Sequence, residues 1–201
     1  MIEFLNKDPR LTNTQSLLVS YPRTVQITFG TFPYVEDIHN MILEVKKNIT
    51  EKDSYSTNVK GGKTDWLTFV DHPFTKKFFT YCINQHQVSH PALFEYFLEK
   101  KEITEGWGNE IKKGDYVRSH IHSSYHCIFY LTEGSPLILP ELNIKIIPKP
   151  GDYYFFPPFI YHHVDVSESD KNRYNIIYNI NIKNNWEKEK KMWKRNQVHE
   201  N

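Results

Sequence analysis

The sequence predicts a mainly β fold, a β-sandwich or jelly-roll barrel, with supporting N-terminal α-helices. Three observations lead there. From Glu102 to Ile182 short candidate strands recur at 8–12-residue spacing with turn residues between them. Before about residue 101 the apolar residues recur at helical spacing instead. Five of the 10 histidines fall between positions 120 and 163, inside the strand region.

In chain order, Val25-Gln26-Ile27-Thr28-Phe29 alternates and stops at Gly30, as a strand does. Pro33 opens a helix in which Val35, Ile38, Met41, Ile42 and Val45 share a face. Glu36 and Asp37 in its first turn and Lys46 and Lys47 in its last suit the helix dipole. Phe74, Phe78, Phe79 and Tyr81 predict a second helix after Pro73, and Leu93, Phe94, Phe97 and Leu98 a third after Pro91. The strand candidates that follow are Gly106–Ile111, Tyr116–Ile121, Cys127–Thr132, Leu137–Leu139, Ile144–Ile147, Tyr153–Phe156, His162–Val166 and Tyr174–Ile182. Turns separate them at Lys113-Gly114-Asp115, Glu133-Gly134-Ser135-Pro136, Pro148–Asp152 and Ser167–Asn172.

The 201 residues (24.0 kDa) suit one domain over 1–201. Within it, 1–100 is a helix-rich support, 101–183 the jelly-roll core and 184–201 a polar C-terminal tail around Trp186 and Trp193. Lys+Arg 25 against Asp+Glu 24 leaves a net charge of +1, which argues against a general nucleic-acid coat or an electrostatic membrane binder. No apolar run approaches the roughly 20 residues that span a bilayer. Met1-Ile2-Glu3-Phe4-Leu5-Asn6-Lys7-Asp8 mixes acids and polar groups where a secretion signal needs apolar ones. Cys82 and Cys127 cannot build a disulfide framework, so the expected setting is the reducing cytoplasm.

His120-Ile121-His122 is the most informative pattern. Residues i and i+2 of a strand share a face, so both imidazoles project to one side. His162 follows a separate turn about 40 residues later, and antiparallel pairing can bring its strand beside the first. Three neutral imidazoles make a facial metal site with open positions; a carboxylate replacing one gives the more usual non-haem iron site. An HxH pair alone also occurs on surfaces that bind nothing. The surroundings favour ligation: Gly114 before the HxH pair and Gly151-Asp152-x4-Pro157 before His162 resemble the two halves of a cupin pattern, in order. His126 shares their parity, and a substitute ligand, a donor supporting the ligands or core filling all fit it. A supporting role is expected. His163 should face away from His162. His39, His72, His86, His90 and His199 have no partner pattern and read as structural or exposed.

Taken together, the motifs resemble the 2-oxoglutarate/Fe(II)-dependent oxygenase superfamily, and within it a compact branch common in bacteriophages and marine bacteria. Asn58-Val59-Lys60-Gly61-Gly62-Lys63-Thr64 resembles that branch's Asn-x-Gly-Gly-x-x-Ser. Trp107-Gly108-Asn109 resembles its Trp-x-Asn, and Phe129-Tyr130-Leu131 the Tyr-Tyr-Leu after its HxH. Gly151–Pro157 with His162-His163-Val164 resembles its Gly…Phe-Pro…His-x-Val. Arg173 lies 11 residues after His162, and Asn179 lies 6 after Arg173, like its Arg…Asn ending.

The resemblance implies a double-stranded β-helix carrying Fe(II), with 2-oxoglutarate as cosubstrate and O2 as oxidant. His120, His122 and His162 would be the metal ligands, and Arg173, Tyr130, Asn109 and Asn179 would bind 2-oxoglutarate. An inward Arg suits a buried carboxylate, which a guanidinium grips bidentately. The bland alternatives are a surface Arg and a core Tyr. His122 departs from the superfamily's usual Asp or Glu and leaves the iron more positive. His126-Cys127 replaces the branch's usual Ser-Gly, placing bulk near the pocket. Trp107, Tyr116, Tyr125, Phe155 and Phe159 are expected to wall the pocket. The implied activity is hydroxylation coupled to decarboxylation of 2-oxoglutarate to succinate, in the host cytoplasm if a phage encodes the chain. Peptide, nucleotide, sugar and small-metabolite substrates, and a homodimer, all remain open. The rivals are a three-His cupin-type enzyme without 2-oxoglutarate, such as a thiol dioxygenase or an isomerase, and a non-catalytic β-sandwich binding protein.

Overall fold

The computed structural model describes residues 2–4, 16–21, 23–52, 58–86 and 103–181. The third expected helix and the C-terminal tail lie outside these residues. In chain order the elements are β1 (Ile2–Phe4), β2 (Ser16–Tyr21), β3 (Arg23–Thr31), α1 (Val35–Asn48), β4 (Ile49–Lys52), β5 (Val59–Lys60), β6 (Gly62–Thr64) and α2 (Pro73–His86). Then come β7 (Ile103–Ile111), β8 (Tyr116–His120), β9 (Tyr125–Tyr130), β10 (Leu137–Leu139), a 3-10 turn at Pro140–Leu142, β11 (Ile144–Ile146), β12 (Asp152–Phe156), β13 (His162–Val164) and β14 (Arg173–Ile180).

The strands form two sheets: an eight-stranded one ordered β2-β3-β12-β9-β14-β7-β6-β4 and a six-stranded one ordered β1-β11-β10-β13-β8-β5. All pairings are antiparallel, and neither sheet closes on itself. The fold is thus mainly β, of the jelly-roll type.

Burial on both faces explains the composition of the large sheet. All eight residues of β14 are buried. Tyr174, Ile176, Tyr178 and Ile180 pack into the cluster that includes Val45 of α1 and Phe78 of α2. Ile177 belongs to a second cluster, which lies between the sheets. Ile38, Met41 and Val45 of α1 return every three or four residues and are buried, so the amphipathic stripe is what docks the helix. Pro73 begins α2, where its missing N–H costs nothing. Phe78 meets Phe129 at 4.7 Å and Phe32 meets both Phe78 and Phe129 at 5.7 Å between ring centroids. This aromatic layer holds α1 and α2 on the outer face of the large sheet. Truncating one such buried ring typically costs about 3–5 kcal/mol.

Gly61 marks a crossing. β5 pairs with β8 in the small sheet and β6 with β7 in the large one, so the chain changes sheets at this residue. Its φ is +150°, and a Cβ there would stand 2.5 Å from the Glu110 carbonyl oxygen, so a side chain is excluded. No helix among the described residues is long and apolar enough to cross a membrane.

Candidate metal centre

β8 and β13 build the centre. They pair with His162 directly opposite His120, which closes the gap of about 40 residues. The register shifts between His162 and Val164, where the pairing resumes at Val117. His122 lies just past the end of β8, and its carbonyl accepts a 2.9 Å hydrogen bond from the Phe159 amide. Ring centroids are 4.3 Å apart for His120–His162, 5.0 Å for His120–His122 and 5.3 Å for His122–His162. The candidate ligand atoms of these three residues lie within 4.8 Å of one another.

The hydrogen bonds orient the rings for ligation. His120 donates from Nδ1 to the Arg118 carbonyl at 2.8 Å, and His162 donates from Nδ1 to the Ile160 carbonyl at 2.9 Å. In both rings Nε2 is left with a lone pair, the arrangement seen where imidazole binds a metal. Electrostatics agree. Burial first, then the neighbouring imidazoles, push His122 down to about 4 and His162 down to about 3. Burial also lowers His120. The rings are therefore neutral near pH 7, as ligation requires. Three neutral nitrogen donors suit a borderline divalent ion such as Fe(II).

The inner face of the large sheet supplies the rest of the cavity. Arg173 is buried, 2% exposed, and lines it with the three histidines. One guanidinium nitrogen donates to the Ser135 carbonyl at 2.8 Å, while Nε has no partner among the described residues. The guanidinium carbon lies 5.1 Å from the centre of the Tyr130 ring. Among the described residues no carboxylate pairs with Arg173. Burial lowers its pKa, a trend the neighbouring Tyr130 opposes. Burial pushes Tyr130 up to about 12, so its buried, unpaired hydroxyl stays a neutral donor. Gly134 shapes this end. Its φ is +148°, and a Cβ there would fall 2.5 Å from the Arg173 Cβ.

Asn109 of β7 and Tyr130 of β9 flank Asn175 of β14 in register. Asn175, absent from the candidates read in the sequence, lines the cavity with an Oδ1 unpaired among the described residues, as does Asn109. Its parity with Arg173, two residues away, was the available signal. Asn179 is placed differently: it lies six residues along the strand from Arg173, about 20 Å away. It is not among the cavity-lining residues, and its amide donates to Glu105 at 2.5 Å.

His126 lines the cavity, and neither of its ring nitrogens has a partner among the described residues. Cys127 points to the helix side of the sheet. Of the expected pocket walls only Trp107 is in place, its ring 6.3 Å from that of His122. Phe155 and Tyr125 instead pack on the helix-side cluster, because the pleat turns their positions outward. Tyr116 lies under Lys60, and Phe159 is half exposed. His163 is turned from the cavity toward Asp165 at 3.3 Å. His72 accepts the Phe74 amide, and His86 is buried against Tyr153.

The histidine cavity is tight, about 40 Å³. A wider groove of about 910 Å³ runs outside the small sheet, lined by Lys145, Lys149, Asp165, Glu168 and Lys171. It is open, mixed in charge and contains none of the histidines, so chemistry favours the smaller cavity.

No family model matches the chain, and no curated protein matches it in sequence. Solved structures do match its fold. A viral collagen prolyl hydroxylase from Paramecium bursaria Chlorella virus-1, in complex with 2-oxoglutarate, aligns with TM-score 0.54 at 16% identity, covering 77% of this chain and 94% of that one. A Pseudomonas putida prolyl-4-hydroxylase aligns with TM-score 0.56 at 12% identity, over 78% and 92%. A non-haem α-ketoglutarate-dependent carbocyclase from nogalamycin biosynthesis aligns with TM-score 0.52 at 11% identity, over 77% and 79%. The chain therefore has the fold of the 2-oxoglutarate/Fe(II) oxygenases.

Proposed function

We propose that the protein is a non-haem Fe(II)- and 2-oxoglutarate-dependent oxygenase that hydroxylates its substrate. The observation that carries this reading is Arg173, a buried guanidinium with no carboxylate partner among the described residues, facing the same cavity as three imidazoles. A buried cation without an anion costs several kcal/mol, so the site is built for an anionic ligand. A dicarboxylate with one end at Arg173 and the other at the metal satisfies both halves of the cavity.

His120, His122 and His162 would hold Fe(II). With 2-oxoglutarate and O2 bound, the metal supplies the oxidising chemistry, in which one oxygen atom goes to succinate, one to the substrate, and CO2 leaves. Arg173 grips the distal carboxylate. The Tyr130 hydroxyl donates to the same carboxylate, and Asn109 and Asn175 fill out its polar surroundings. Trp107, Ile111, Ile128 and Ile177 keep the cavity walls apolar and exclude water. The working partners are 2-oxoglutarate, O2 and one primary substrate, in the cytoplasm.

The test is metal analysis of purified protein, followed by anaerobic titration of the Fe(II) form with 2-oxoglutarate, read by visible absorption. One metal per chain and a saturable spectral change are expected. The all-imidazole ligand set also suits a cupin-type metalloenzyme without 2-oxoglutarate, and metal binding with no spectral response would select it. Absence of stoichiometric metal would leave a non-catalytic binding protein.

A further inference from the structure

His126 has an environment that core packing does not explain. It lies on β9 between Phe156 of β12 and Asn179 of β14. It is 1% exposed, yet neither Nδ1 nor Nε2 finds a partner among the described residues. Its ring stacks on Phe156 at 5.0 Å, with the centroids of His122 and His162 at 4.6 and 4.9 Å. An apolar ring would fill this space at no polar cost, whereas a buried polar group without a partner carries its full desolvation penalty. Such a group in a ligand cavity marks a partner to be supplied.

One feature separates His126 from all three candidate ligands, and a second separates it from two of them. Its nitrogens fall outside the set of atoms within 4.8 Å of one another. It also lacks the Nδ1-to-carbonyl bond that orients His120 and His162. It stands beside the metal position without being oriented onto it.

We infer that His126 donates a hydrogen bond to the ligand atom in the open coordination position of the metal held by His120, His122 and His162. This rests on the metal-centre half of the function proposed above and not on 2-oxoglutarate. A neutral imidazole offers one N–H and one lone pair. A metal-bound anion uses the N–H. The bond positions that anion and removes one of the two unsatisfied nitrogens.

The experiment loads the full chain with Co(II) and titrates azide, a small anion that enters an open metal position, following the visible absorption. His126→Phe keeps the ring against Phe156 and removes both nitrogens. Co(II) affinity is expected to stay within about 3-fold, and azide affinity to fall about 10-fold or more, the size of one charge-assisted hydrogen bond. His126→Gln returns an N–H and should recover part of the loss. His126→Leu serves as the nitrogen-free variant if the Phe variant does not fold. Unchanged azide affinity in the nitrogen-free variant would overturn the inference, and so would loss of Co(II), which would make His126 a ligand. Wild-type protein that binds azide but ignores 2-oxoglutarate would sink the cosubstrate reading and leave the His126 result standing.

Discussion

Replacing Arg173 by Met should move ligand affinity and protein stability in different directions, and that divergence tests the role of the cavity. Met is unbranched and fills the space along the Arg stem. In the free protein Arg173 gains one hydrogen bond, 2.8 Å to the Ser135 carbonyl. A bond to a charged group is worth about 1.5–3 kcal/mol. Against it stands the desolvation of a guanidinium that is 2% exposed and has no carboxylate partner among the described residues. That penalty is several kcal/mol per ion, and swapping buried ionic groups for apolar ones is often neutral or stabilising by about 1–4 kcal/mol. The melting temperature of the metal-free variant should therefore hold or rise. Ligand binding should suffer. Removing one partner of a buried charge pair typically costs about 2–5 kcal/mol, a loss of roughly 30-fold to several thousand-fold. The assay is 2-oxoglutarate titration of the metal-loaded variant beside metal analysis. Retained affinity for 2-oxoglutarate would refute the reasoning. A variant that melts several degrees lower with its metal site intact would make Arg173 structural.

His162→Ala should abolish metal retention, because the remaining pair at His120 and His122 lacks the facing donor; full occupancy by metal analysis would reject the ligand assignment. Gly134→Ala should lower stability by about 1–3 kcal/mol through its left-handed φ and the encroachment on Arg173, seen as a lower melting temperature and weaker 2-oxoglutarate binding. The metal-free protein should lose stability in acid. The folded-state values of His120, His122, His126 and His162 are all depressed, with His122 near 4 and His162 near 3. The unfolded chain titrates these groups near 6.5, so between about pH 6.5 and 3 it binds more protons than the fold. Stability is then full above about pH 6.5 and falls below it, by up to about 1.4 kcal/mol per pH unit for each fully buried ring. A melting temperature that stays flat from pH 7.5 to 5 would contradict this.

The sequence by itself determined the strand region. Leu137–Leu139 has the bounds expected, and Ile144–Ile147 and Tyr153–Phe156 differ from the observed strands by one residue. Their turns carry Gly and Pro, whose backbone preferences act locally and are readable without a fold. The convergence of His120 and His122 was equally local, since the strand period is two, although His122 itself falls just past the end of β8.

Long-range pairing decided the rest. β5 and β6 are two and three residues long, and they exist as strands because β8 and β7 offer them edges. The hairpin partner β2 and the short β1 were missed for the same reason: a strand is completed by its neighbour. Alternation separates the two faces of a strand but does not say which face meets the cavity when both are buried. β14 is buried throughout, so Asn175 was indistinguishable from core until its neighbours Asn109 and Tyr130 were in place. Phe155 looked like a cavity wall and lies under α2 instead. His126 had the right parity from the start, but only the stacking of β9 against β12 and β14 showed a buried ring with both nitrogens unpaired. Parity is a property of one strand, whereas a site needs several strands in register, and register is set by tertiary contacts.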